Sequence, residues 1–258
     1  MKKQILTTQN LAIGYQTSKQ KTTLCKAIDL QIFSGEVLCL LGRNGAGKST
    51  LLKTLAKLLL PLSGSLFVEQ TSFSELSNIH FAKKISVVLT DRLPENSLTV
   101  YQTIALGRQP YTNWAGKLTP FDEKQINKAI HLTDIKNILD KNTSELSDGQ
   151  LQRVMIARAL AQDTPIILLD EPTSHLDIHH KLNIFRILKN ISQETQKTIL
   201  ISTHEINLAL KYADRLLLMH QQTLHLGTIK DQQTQQVLMN IFNSDLIRFD
   251  VATHQFIF

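Results

Sequence analysis

Three groups of residues have the types and spacing to do chemistry on a phosphate. The first is GRNGAGKST, residues 42–50, which fits G-x-x-x-x-G-K-S/T with Gly42, Gly47, Lys48 and Ser49 as its fixed points. Glycines let the backbone curl until its N–H groups face an anion. Lys48 can reach β- and γ-phosphates, and the Ser49 hydroxyl can ligate Mg²⁺. Asn44, Gly45, Ala46 and Thr50 complete the expected nucleotide-contacting set. The second group is the acidic pair in PIILLDEP. Asp170 is placed to hold Mg²⁺ through water, and Glu171 beside it is the natural general base for a water attacking the γ-phosphate. The third is ELSDGQ, where Ser147, Gly149 and Gln150 open a helix with Leu151, Val154, Met155 and Ala159 on one face. Ser147 fits an N-cap. A free hydroxyl and a glycine N–H at a helix start make a second anion site. One chain thus offers two phosphate-binding helix ends.

These groups need elements to hold them. VLCLL, residues 37–41, is a continuous apolar run, as a strand buried on both faces requires. After the loop, Leu51, Leu52, Leu55, Leu58 and Leu59 recur at helical spacing up to Pro61, so the loop joins a strand to a helix N-terminus, where a partial positive charge adds to the free N–H donors. Strands are expected at 5–15, 24–33, after PLSG, and at 85–89. The segment 100–160 reads as mostly helical, with loops at RQPYTNWAGKLTP and NTSELSDGQ. PIILLDEP, TILIST and RLLLMH supply three more strands, separated by helices near 182–193 and 205–212, and the alternating tail LIRFDVATHQFIF reads as a hairpin. Strands alternating with helices imply a parallel sheet, whose ligand crevice lies at the carboxyl ends of its strands. The expected fold class is α/β: a phosphate-loop NTPase core with a parallel sheet, an antiparallel β subdomain and an inserted helical lobe. We expect one domain over 1–258, with core at about 1–90 and 161–258 and the lobe at about 91–160.

The composition agrees with a globular chain. It has 258 residues, 42% hydrophobic and 19% charged, with no apolar run approaching a membrane span. The start, MKKQILTTQN, lacks the apolar stretch of a secretory signal. Cys25 and Cys39 sit in apolar strand contexts and read as buried thiols, not as a disulfide framework. The net charge of +6 is spread along the chain, so it singles out neither a nucleic-acid surface nor contact with anionic lipid.

Taken in order, LAIGY with Tyr15, the loop at 42–50, LSDGQ, IILLDEPT, SHLD and ILISTHE resemble the ATP-binding cassette ATPases over essentially the whole chain. The resemblance implies ATP and Mg²⁺ as cofactors and two cassettes paired head to tail, each ATP held between one phosphate loop and the partner's signature. It also implies that Tyr15 stacks on adenine, that His204 bonds the γ-phosphate and orients the water and Glu171, and that Asp177 lies in a loop touching the second cassette. His175, His179 and His180 have no metal-site spacing, and the family calls for none there. Two positions depart from the pattern. Asp148 replaces a glycine within the signature, at a place that faces outward. Thr90, followed by Asp91, stands where the family has a glutamine near Mg²⁺, so Thr90 becomes the candidate ligand there alongside Ser49 and Asp170.

LTVYQTIALGRQP matches a T-V-x-x-x-x-x-x-G-R-x-P pattern, with Thr99, Val100, Gly107, Arg108 and Pro110, that resembles importers of ferric siderophores, haem and cobalamin. This implies an ATPase subunit at the cytoplasmic face of the cell membrane. It would energise separate integral membrane permease subunits, indirectly serve a substrate-binding protein, and have no nucleic-acid partner. An export ATPase or a soluble iron–sulfur assembly ATPase is the alternative. Pro110, Tyr111 and Trp114 form an aromatic cluster expected to anchor the permease.

Overall fold

Our computed structural model describes residues 3–16, 20–89 and 98–257. Along the chain these form β1 (Gln4–Gln16), β2 (Lys21–Ile28), β3 (Gln31–Phe33), β4 (Val37–Gly42), α1 (Lys48–Leu55), β5 (Ser63–Val68), β6 (Thr71–Ser72), α2 (Asn78–Ala82), β7 (Ile85–Val88), α3 (Val100–Ala105), α4 (Pro120–Thr133), α5 (Asp148–Ala161), β8 (Ile166–Asp170), α6 (Ile178–Thr195), β9 (Thr198–Ser202), α7 (Ile206–Tyr212), β10 (Arg215–His220), β11 (Thr223–Gly227), α8 (Gln232–Phe242), β12 (Arg248–Asp250) and β13 (Gln255–Ile257).

The central sheet runs β11-β10-β4-β9-β8-β7, with β11 antiparallel at one edge and the other pairs parallel. Its inner strands β4, β8 and β9 are buried throughout because both faces are covered. Val37, Cys39 and Leu41 of β4 point to one core with Ile167, Leu169, Ile199, Ile201, Leu216 and Leu218, beneath α5, α6 and α8. Leu38 and Leu40 point the other way, with Leu168, Leu200 and Leu217, into a second core shared with α1 and the antiparallel sheet. That sheet runs β2-β1-β5-β6, with β3 also on β1. The α/β class with an antiparallel β layer and a helical region thus stands.

Two expected elements differ. The strand read at 24–33 is two, β2 and β3, because both must pair with β1 at different places. Thr8 fills the break: its hydroxyl donates to the Ile28 carbonyl at 2.7 Å and accepts from the Leu30 N–H at 2.8 Å. The helix expected to reach Pro61 stops at Leu55. Lys57 turns left-handed (φ 59°), the Lys57 N–H donates to the Thr54 carbonyl at 3.1 Å, and the Leu58 N–H donates to the Lys53 carbonyl at 2.9 Å, a Schellman cap.

The helical region is built from α3, a 3₁₀ turn at Leu106–Tyr111, α4 and α5. It explains the residues of the T-V…G-R-x-P stretch. Thr99 caps α3 in a reciprocal box with Gln102, and Val100 is buried. Gly107 has no room for a Cβ, which would stand 2.2 Å from the Arg158 carbonyl oxygen. Arg108 is fully buried, its Nε donating to Asp122 Oδ1 at 2.8 Å and Nη1 to the Ala161 carbonyl at 2.8 Å. Its guanidinium stacks on the Tyr111 ring at 4.0 Å, so Tyr111 packs within the helical region rather than standing free as an anchor. Trp114 is the exposed aromatic of that loop.

Candidate functional site

Register brings the chemistry together. β4 ends at Gly42, β8 at Asp170 and β9 at Ser202. Leu40 is opposite Ser202, and Ser202 opposite Asp170. Three adjacent carboxyl ends therefore open on one side, where parallel sheets place ligands.

The phosphate loop turns on two left-handed glycines, Gly45 (φ 77°) and Gly47 (φ 105°). A Cβ at Gly47 would crowd Leu24 at 3.2 Å, while Gly45 faces open space. Gly47 is the N-cap of α1, which leaves the first backbone N–H groups of the helix for an incoming anion. The buried Lys48 ammonium donates to the Gly42 carbonyl at 2.9 Å and the Arg43 carbonyl at 3.4 Å. Burial lowers its pKa, and the charges of Glu171 and Asp170 oppose that. The Tyr15 hydroxyl bonds the Thr50 hydroxyl at 2.8 Å, tying β1 to the loop helix while half of the tyrosine stays exposed.

Opposite the loop, Ser49 Oγ donates to Asp170 Oδ1 at 3.1 Å, and Ser202 Oγ donates to the same oxygen at 2.5 Å. A hydroxyl and a carboxylate are the hard oxygen donors Mg²⁺ prefers, so these residues fit that ion. Thr90, the third candidate ligand, lies outside the described residues. Glu171 has a left-handed backbone (φ 47°), a conformation that costs about 1–3 kcal/mol in a side-chain-bearing residue and clusters at active sites. Its N–H donates to Ser202 Oγ at 3.0 Å and to the Ser202 carbonyl at 3.1 Å. The bend turns the side chain to His204, whose Nε2 is 2.5 Å from Glu171 Oε1. Ser202 is the residue sequence reasoning passed over. It lies inside ILISTHE, and only the β8–β9 register reveals that it holds the Asp170 carboxylate and the Glu171 backbone N–H.

The LSDGQ residues lie apart from this cluster. Ser147 caps α5, its Oγ accepting from the Gln150 N–H at 3.4 Å while Gln150 Oε1 accepts from the Ser147 N–H at 3.1 Å. Asp148 is exposed, and Gly149 lies so close to the His180 ring that a Cβ would meet it at 2.4 Å. His180 is held by Asp177, the N-cap of α6: the His180 N–H donates to Asp177 Oδ1 at 2.9 Å, and its Nδ1 is 2.8 Å from Oδ2. Among the described residues no hydrogen bond joins Ser147, Gly149 or Gln150 to the loop at 42–50.

A parallel core carrying a phosphate loop, an acid pair and a helical signature region defines a cassette-type nucleotide-binding domain. Residues 25–174 match the family model described as ABC transporter. The chain is 31% identical to the iron(3+)-hydroxamate import ATP-binding protein of Bacillus subtilis, covering 93% of this chain and 87% of that one. It superposes on a metal-chelate type ABC transporter in an inward-facing conformation with a TM-score of 0.79, at 27% identity over 93% of this chain and 89% of the other. It also superposes on the ATP-binding cassette MJ0796, solved as a dimer bound to ADP and Pi in a post-hydrolysis state, with a TM-score of 0.75 at 25% identity over 88% and 100% of the chains. The chain belongs to the ABC transporter family. Among the described residues, no helix is long and apolar enough to cross a membrane.

Proposed function

We propose that this chain is the ATP-binding and ATP-hydrolysing subunit of an importer, working as a pair of cassettes beneath separate membrane permease subunits. It forms one cassette domain, with the segment at about 91–160 as its inserted helical lobe. The cargo is a metal chelate, an iron complex or cobalamin, delivered by a substrate-binding protein and moved while this chain stays on the cytoplasmic face of the membrane. Support for the cargo class comes from the T-V…G-R-x-P residues, from the relative that imports an iron(3+)-hydroxamate and from the likeness to a metal-chelate transporter.

The observation that carries the chemistry is the 2.5 Å contact between His204, just past the end of β9, and Glu171, which follows Asp170 at the end of β8. Ser49 and Asp170 would hold Mg²⁺, which neutralises charge on the phosphates when bound. Lys48 and the N–H groups at the start of α1 bind phosphate oxygens. Glu171 takes the proton of the attacking water. His204 holds that carboxylate in place and presents its imidazole to the γ-phosphate side. Tyr15 offers its exposed ring to the adenine. Ser147, Gly149 and Gln150 serve the ATP of the other cassette, which accounts for a second anion site unconnected to the first.

Glu171→Gln keeps the shape and removes the base. ATP binding is expected to persist while turnover drops at least ~100-fold, the lower range for losing a general base. The variant should accumulate as an ATP-bound dimer on size exclusion. Wild-type turnover in the permease complex would overturn the assignment.

A further inference from the structure

One side chain ties the C-terminal hairpin to the histidine loop. Asn207 stands on α7, three residues after His204. Its Nδ2 donates to the carbonyl of Phe256 at 3.0 Å, and its Oδ1 accepts from the N–H of the same residue at 2.8 Å. The amide therefore satisfies both backbone groups of a residue 49 positions away on β13. The hairpin is itself anchored. Phe249 and Phe256 are buried with ring centroids 5.2 Å apart, and Phe256 meets Phe242 edge-on at 5.8 Å. Phe242, at the end of α8, lines a cavity of about 410 Å³ together with His204 and the loop residues Gly42, Arg43 and Asn44. The hairpin, the end of α8 and the histidine loop thus pack as one unit beside the phosphate loop.

The histidine loop is otherwise held by the Thr203 N–H, which donates to the Leu40 carbonyl at 3.2 Å, and by Ala209 and Leu210 of α7 in the core, and the hairpin adds a further tie. α7 has seven residues, too few to be stable by its own hydrogen bonds. At its start, Glu205 accepts from Lys181 at 2.6 Å, a partly exposed ion pair that holds little. The paired amide bonds of Asn207 reach to buried structure, and they lie three residues along the chain from His204, in the first turn of α7.

We propose that Asn207 is a positioning residue for hydrolysis: by fastening α7 to the C-terminal hairpin it holds His204 against Glu171. This rests on the roles given above to His204 and Glu171.

The test is a double-mutant cycle on the full chain, with Asn207→Ala made in the wild type and in His204→Gln. Asn207→Ala alone is expected to lower kcat about 10-fold, as a small misplacement of a reacting group does, with KM for ATP within about 2-fold. In the His204→Gln background the same change should alter turnover less than about 2-fold, since coupled residues are non-additive. Equal losses in both backgrounds would overturn the positioning role and leave that of His204 standing. Undiminished turnover in His204→Gln alone would overturn the role of His204 and the proposal with it. Nitrogen-15 resonances of the His204 imidazole give a second readout independent of turnover. Asn207→Ala should shift them, whereas unmoved resonances would overturn the proposal. Should Asn207→Ala not fold, Asn207→Asp keeps the acceptor for the Phe256 N–H and is expected to give a smaller shift of the same sign.

Discussion

At the scale of the residue, the site is a chain of short contacts meeting at Ser202. Its hydroxyl donates to Asp170 and accepts from the Glu171 N–H, so one side chain fixes the oxygen we propose for Mg²⁺ and the backbone bend at Glu171, the proposed base. The Ser202 carbonyl also receives the Glu171 N–H, and a serine-to-alanine change leaves that bond in place. Ser202→Ala should therefore fold. It leaves Asp170 Oδ1 with the Ser49 hydroxyl alone and loosens a strained backbone, at a cost of about 1.5–3 kcal/mol for the lost hydrogen bond to a charged group. We expect the Mg²⁺ concentration needed for half-maximal ATP turnover to rise, with a smaller effect on nucleotide affinity measured without metal. A variant whose Mg²⁺ dependence matches the wild type would remove Ser202 from this role. Lys48 illustrates a different economy: burial lowers its pKa, the neighbouring Glu171 and Asp170 act against that, and the loop carbonyls hold its ammonium until a phosphate supplies a better partner.

At the scale of the element, the helical region is held around a buried ion pair. Arg108 and Asp122 are almost fully enclosed, and Thr119 donates its N–H and hydroxyl to Asp122 Oδ2 at 2.8 and 2.6 Å. Burial alone would raise the Asp122 pKa. The Thr119 bonds and the Arg108 guanidinium outweigh it, and the carboxyl ends below its ordinary range. Asp122→Ala strands the guanidinium and should cost about 3–5 kcal/mol in denaturant unfolding. The sign with pH follows from the depressed pKa. The contribution is complete above the unfolded carboxylate's titration and is lost as pH falls through the lower folded value. The gap between wild type and variant should hold constant near neutrality and narrow only in strong acid. A gap that closes between pH 5 and 7 would refute this account. The same region shows what the sequence makes legible. The Ser147 N-cap and the apolar periodicity after it announce α5 directly, whereas 100–160 reads only as mostly helical and does not single out α3. β11 escapes because its hairpin turns on Gln221 and Gln222, both left-handed, with neither glycine nor asparagine to mark the turn. α8 escapes because its glutamine-rich first turns hide a narrow apolar face, Leu238 and Ile241, that only packing identifies. The phosphate loop and acid pair are local in sequence and were readable. The Asn207–Phe256 tie joins residues far apart and was not.

At the scale of the whole molecule, the question is how a nucleotide site moves something it does not touch. The helical region contacts the core along α5 and the neighbouring β7, and Tyr111 lies between Arg108 of the helical region, 4.0 Å away, and Lys83 just past α2, 4.9 Å away. The two cation–ring contacts tie the helical region to the end of α2. Beyond it the chain presents Trp114, 99% exposed and the only tryptophan in the sequence. The loop bearing it is ordered by its own bonds: Asn113 Oδ1 accepts from the N–H groups of Ala115 at 3.1 Å and Lys117 at 3.3 Å. A fully exposed indole on a preorganised loop has the character of an interface anchor, since it binds without first losing much freedom. We propose it as the permease contact. Trp114→Ala removes no intramolecular packing, so melting temperature and ATP affinity should stay at wild-type values. Association with the permease should weaken about 30-fold, the equivalent of a hot-spot loss near 2 kcal/mol, and uptake in reconstituted vesicles should fall with it. Because the indole is the chain's sole tryptophan, its emission reports the contact once the permease's own tryptophans are replaced, and it should shift to the blue when that permease binds the wild-type chain. An emission maximum that stays at the solvent-exposed value in the assembled complex, with uptake by Trp114→Ala unchanged, would place the docking surface elsewhere on the molecule.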